Sequence, residues 1–191
     1  MIYNIVLFLH ILGAVIMFMA IAILAASMIS MLHAKDTAGI RLWSKLAVKI
    51  DALFPLSTLI ILVPAFYLVF STWGWGIAWI NVSLAALLAN SFLGPVINLR
   101  RLKGILSAAE ADSESTPSAE LLSKVRDRVL WTSVSSMSMI TVGILFLMAV
   151  KLTVMGSLIT MIVAIAAGFA LANALLARVK SEKVVDTMQH Q

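Results

Sequence analysis

Residues 2–32 read IYNIVLFLHILGAVIMFMAIAILAASMISML, with no Asp, Glu, Lys or Arg among them. About 31 helical residues at ~1.5 Å each reach roughly 46 Å. A bilayer's hydrocarbon core is only about 30 Å thick. The stretch predicts a membrane helix that tilts or projects beyond the core. Four further apolar runs reach spanning length: about Ala52 to Thr72, Ile77 to Ile97, Leu130 to Val150 and Val154 to Ala177. Backbone groups in lipid must be bonded within their own segment, so each run is read as a helix. The expected spans are therefore about 2–32, 52–72, 77–97, 130–150 and 154–177. The expected fold is an all-α, polytopic membrane bundle of five transmembrane helices, built as a single domain over 1–191.

Composition agrees. Of 191 residues, 62% are apolar and 12% charged, against about 45–50% and 25% in soluble domains. Mean hydropathy is +1.05. A chain this short cannot hide that much apolar surface from water. A soluble globular enzyme, a disordered chain and a nucleic-acid-binding module are excluded. With no cysteine, disulfides, thiolate metal sites and cysteine nucleophiles are excluded too.

Charge placement gives an orientation. Of the 14 Lys and Arg residues, all but Lys151 fall in the segments 33–51, 98–129 and 178–191. By the positive-inside rule these are two cytoplasmic loops and a cytoplasmic tail, with the amino terminus outside. Met1 to Leu9 carries no charge. A secretory signal would carry positive charge there, so an uncleaved first helix is expected. The expected location is a plasma membrane, crossed five times.

Both loops carry further signals. Arg41, Lys45 and Lys49 recur every four residues, with Trp43, Leu46 and Ile50 on another face. This spacing predicts a short helix lying in the headgroup region. Glu110 to Ser118 is polar and acidic and reads as a flexible linker. Thr116-Pro117 is a helix-start signal, and Leu121, Leu122, Val125 and Val129 follow at helical spacing, so helix 4 is expected to begin near Pro117. Asp51 sits at a span boundary and is expected to face water.

Few residues in the spans offer chemistry. His10 is the histidine inside the membrane region, about 12 Å along its helix. Ionisable side chains at that depth point to function. A neutral imidazole there is a candidate ligand for haem iron or another metal, or a proton relay; the alternative is a histidine bonded between packed helices. His33 lies about 35 Å further along the same helix, and His190 lies in the tail. A four-histidine, two-haem cytochrome is therefore excluded. One haem held by His10, alone or with a methionine, fits. Copper is a weaker reading of the pairs Met17 and Met19, Met28 and Met31, and Met137 and Met139. Residues two apart on a helix point to different faces, and methionine is commonly a gap filler.

Helix 4 opens with six hydroxyls between Thr132 and Thr141, Ser136 among them, and Asn90-Ser91 lies in mid-helix 3. These residues could line a polar path or bond to the helices around them. Ala164, Gly168 and Ala172 form a small-residue face on helix 5, suited to close packing on helix 4, a second protomer or another subunit. Lys151, at the outer end of helix 4, is placed to snorkel to water or to meet an anionic group.

Three patches also carry a family likeness: Phe8 to Ala14 (FLHILGA), Gly94 to Arg101 (GPVINLRR) and Leu147 to Lys151 (LMAVK). Their order resembles the bacterial integral-membrane family catalogued as domain of unknown function twenty-two sixty-nine. It is similar, more distantly, to CopD domains and HemJ-type protoporphyrinogen oxidases. HemJ-type proteins place a lysine-proline pair after the last helix; here Leu152 follows Lys151 and a fifth helix continues. The resemblance implies His10 as a haem ligand and Lys151 as a functional lysine. The expected function is a small membrane protein that binds haem or a similar prosthetic group at His10, or an accessory subunit of a redox complex. The alternatives are a transporter or channel subunit with its path along helix 4, and a structural assembly partner docking through helix 5. No acid–base pair lies in the spans, so no independent enzyme activity is expected.

Overall fold

The computed structural model describes residues 1–189, with side chains through residue 178. Among the described residues every regular element is helical. Five segments are long and apolar enough to cross a membrane: Ile2–His33, Thr37–Trp73, Ala78–Ala111, Ala119–Val150 and Val154–Arg178. Turns and π-helical breaks divide the chain into α1 (Ile2–His33), α2 (Thr37–Asp51), α3 (Phe54–Leu68), α4 (Ala78–Gly94), α5 (Arg100–Ala111), α6 (Ala119–Val125), α7 (Arg128–Val150) and α8 (Val154–Gln189). Single π-turns, Val69–Trp73 and Pro95–Leu99, extend α3 and α4. α3 runs through Pro64 without ending.

The bundle sorts its residues by size and polarity. On α1 the buried positions include His10, Gly13, Met17, Ala20, Leu24, Ser27 and Met31. Their steps alternate three and four, the spacing of one helix face. Ile5, Phe8, Val15 and Met19 on the other faces stay exposed. Small and polar residues inside and bulky aliphatic groups outside are the pattern expected where lipid solvates the outer face. Gly13 shows the effect: a Cβ there would sit 2.9 Å from Ile61 Cγ1 of α3.

α7 and α8 pack most tightly. A Cβ on Gly168 would lie 2.3 Å from the Ser136 Cα. One on Gly143 would meet the Ala164 Cβ at 3.3 Å. Ala164, Gly168 and Ala172 are all buried. The small face of helix 5 is thus spent on helix 4 of the same chain.

The largest apolar cluster lies at the basic end. There α2, α5 and α6 cover the ends of α1, α7 and α8, burying Ile40, Ala47, Leu102, Ile105, Leu121 and Trp131 among others. The Arg41 guanidinium donates to the Ala109 carbonyl from Nε (3.0 Å) and Nη2 (2.8 Å), and to the Asp112 carbonyl (3.2 Å). A cation there satisfies carbonyls that the end of α5 leaves without amide partners.

Four expectations change. The segment predicted to lie in the headgroups, α2, packs into this cap: Ile40, Ser44, Ala47 and Asp51 are buried, and Trp43 and Ile50 lie half-buried against the same cluster. The expected flexible linker is tied down: Asp112 Oδ2 accepts from the Ser118 N–H (3.0 Å), and the Thr37 N–H donates to the Ser115 carbonyl (2.9 Å). Helix 4 does not run on from Pro117. α6 starts after Ser118, whose Oγ accepts from the Leu121 N–H at 3.3 Å. It stops before Asp127, whose Oδ1 accepts from the Val129 N–H at 2.8 Å and opens α7. Asp51 does not face water; it is 3% exposed.

Candidate functional site

His10 is held by its neighbour across the bundle. Its Nδ1 lies 3.1 Å from the Ile61 carbonyl of α3. A carbonyl only accepts, so Nδ1 carries the hydrogen. In the neutral ring Nε2 is then the lone-pair nitrogen. Metal-ligating histidines are oriented in this way, by giving the other N–H to a carbonyl or carboxylate. Two features let the helices approach here. Gly13, one turn on, removes a side chain facing Ile60 and Ile61. Pro64 carries no N–H, so the Ile60 carbonyl, next to Ile61, loses its helical partner.

His10 lines an open groove of about 810 Å³ between α1 and the far end of α7. Trp73 and Trp79 stand in its wall, with ring centroids 5.8 Å apart. Met148 and Lys151 complete it from α7. Met148 also borders, with His10, two small cavities of about 40 and 30 Å³ behind the groove. A volume of this order suits a large flat ligand. The bundle therefore brings together His10 and Lys151, two residues singled out by the sequence, and adds Met148 and the two tryptophans.

Lys151 has an unusual backbone. At φ 57° and ψ 53° it is the described non-glycine residue in the left-handed region. Its N–H closes α7 by donating to the Leu147 carbonyl at 2.8 Å. Glycine is the ordinary residue for that position, and a side chain there costs about 1 kcal/mol. Strain of this kind gathers at functional sites.

Of the other candidate residues, Ser136 parts from Asn90. Asn90 Nδ2 donates to the Met137 carbonyl (3.1 Å), and Ser91 Oγ to Thr58 Oγ1 (3.0 Å). Ser138 and Thr141 bond back to the Val134 and Met137 carbonyls at 2.8 and 2.9 Å. Ser136 is turned to α8, where its buried Oγ finds no partner. It therefore shares no path with Asn90. Of the methionine pairs, Met17 is 5% and Met19 59% exposed, so they face apart. Met28 and Met31 are core filling at the basic end. No group of three or more His, Cys, Asp or Glu side chains fit to hold a metal occurs among the described residues. His190 lies outside them.

A second polar cavity, of about 60 Å³, opens between α2, α3, α4 and α7. Asp51 and Asn98 line it, together with Thr58, Asn90, Ser138 and Thr141. Sequence reasoning passed over Asn98, and the signal that could have found it is the Gly94-Pro95 break. A π-turn adds a residue to a helical turn and re-aims the side chains beyond it, and such turns recur at functional sites. No family model, curated protein or solved structure matches the chain.

Proposed function

We propose that the chain is a haem-binding protein of a bacterial inner membrane, with the prosthetic group in the His10 groove. The observation that carries this reading is the Nδ1–H bond from His10 to the Ile61 carbonyl, made in the wall of a groove of ligand size. That bond fixes the tautomer and makes Nε2 the better donor to iron. Met148, which lines the same groove, would offer a thioether as a further iron ligand. The Lys151 ammonium, at the groove's edge, would pair with a propionate carboxylate. Trp73 and Trp79 would stack against the macrocycle and keep water from it. When bound, haem supplies one-electron exchange. The role this supports is a small electron carrier or an accessory subunit of a membrane redox complex. Charge placement supports an amino end outside and the α2–α5–α6 cap in the cytoplasm. The groove then opens toward the outer side.

Titration of the purified protein with haemin in detergent tests the reading. One haem per chain and a Soret band are expected. His10→Ala should abolish both, and Lys151→Gln should weaken binding about tenfold without removing the band. A folded wild-type protein that takes up no haem, or equal binding by His10→Ala, would overturn it.

A further inference from the structure

The second cavity poses a separate problem of unpaired charge. Asp51 ends α2 at 3% exposure, and among the described residues its carboxylate makes no hydrogen bond or ion pair. It is the one charged residue lining the cavity. An ionised carboxylate out of water without a partner is strongly unfavourable. Across the same cavity Asn98 is 4% exposed, and its Oδ1 has no donor. Its Nδ2 is held by the Met137 sulfur at 3.3 Å. The Asp51 carboxylate and the Asn98 Oδ1 both lack partners, and both residues line one cavity. What that space lacks is positive charge.

We propose that this cavity binds a partly dehydrated alkali-metal cation, with Asp51 neutralising it and Asn98 Oδ1 as a second ligand. The remaining wall suits the same guest. Asn90 gives its Nδ2 to Met137, which leaves its Oδ1 for the cavity, and Thr58, Ser138 and Thr141 bring hydroxyl oxygens. Oxygen donors of this hard type select hard cations. A single carboxylate argues against calcium, which draws on more carboxylate charge, and the lining brings no phosphate to complete a magnesium site. The absence of histidine and cysteine from the lining argues against zinc and copper. A volume of about 60 Å³ admits an ion with a few waters and excludes an organic cation. This site is independent of the His10 groove, so either proposal can fail alone.

The test is equilibrium binding of ²²Na⁺ to the full-length protein in detergent at constant ionic strength, balanced with choline. Saturable binding of one ion per chain is expected, displaced by unlabelled Na⁺, Li⁺ or K⁺ but not by choline. The order of the three displacers names the preferred ion. Asp51→Asn should reduce the affinity at least tenfold and Asn98→Ala several-fold. Helix content and monodispersity of each variant show whether it is folded. The wild-type measurement stands without them. No saturable ²²Na⁺ binding to the wild type would overturn the proposal and leave Asp51 as a protonated carboxyl. So would unchanged affinity in a folded Asp51→Asn protein.

Discussion

Replacing Gly168 with alanine tests the packing of α8 on α7. The added Cβ would sit 2.3 Å from the Ser136 Cα, 2.6 Å from its N and 2.8 Å from its Oγ. Ordinary contact begins at 3.4 Å, so α7 and α8 must part locally by about 1 Å. The nearest atoms are backbone, and no rotamer change relieves them. Overpacking costs about 1–3 kcal/mol, here toward the upper end, about 2–3 kcal/mol, because backbone must move, and the separation also loosens the Gly143–Ala164 contact one turn away. Against it stands the helix preference for alanine over glycine, about 1 kcal/mol. A net loss of about 1–2 kcal/mol remains. For a chain of this length that lowers Tm by about 2–8 °C. Gly104→Ala is the control. It lies inside α5, exposed, and its Cβ would meet nothing within 4 Å. The same helix preference then acts unopposed and should raise Tm by a few degrees. Thermal unfolding of the two variants in one detergent decides. A Gly168→Ala protein that melts at or above wild type would refute the α7–α8 contact.

Other perturbations probe single contacts. Lys151→Gly should stabilise the fold by about 1 kcal/mol, because glycine accepts φ 57° without strain. The same change should weaken haem uptake, so thermal unfolding and haemin titration should move in opposite directions. Asp127→Ala removes both the cap of α7 and the ion pair to Arg101. A loss of about 1–2 kcal/mol is expected in the same melt. The Ser118 N–H, with smaller help from Glu114 and Arg41, holds the Asp112 carboxyl below its ordinary range. A lowered value in the folded state means that the carboxylate form stabilises the α5–α6 turn. Its contribution is full above the unfolded value of about 3.9 and is lost as pH falls through the lower folded value. Amide-exchange protection of Ser118 should therefore fall in that acid window, while Asp112→Asn should show no such pH step.

The spans were legible because lipid sets one crude requirement, about 20 apolar residues in a row. Five described segments are long and apolar enough to cross a membrane, the number of apolar runs in the sequence. Which face turns inward was harder to read, since α1 is apolar all round. Its buried side is marked by His10, Gly13, Met17, Ala20 and Ser27, a pattern of small and polar residues that hydrophobicity alone does not weigh. The cap was misread for a related reason. Arg41, Lys45 and Lys49 drew attention to a basic face, while the deciding residues, Ile40, Ser44 and Ala47, meet α5 across a gap of more than fifty residues in sequence. Asp51 was misplaced with them. A carboxylate at a span boundary ordinarily reaches water, and only the packing of α2 against the π-turn after α4 encloses it. His10 and Lys151 stood out singly. That they share a groove depends on the register of α1 against α7, and nothing in local spacing encodes that register.

The central claim is haem at His10. Its most direct test is the reduced-minus-oxidised absorbance spectrum of protein purified from cells with ample haem, recorded beside folded His10→Ala. A Soret band that shifts on reduction in the wild type and is missing from the variant is the predicted result. A flat spectrum from folded wild-type protein, or the same band in both, would contradict haem ligation by His10.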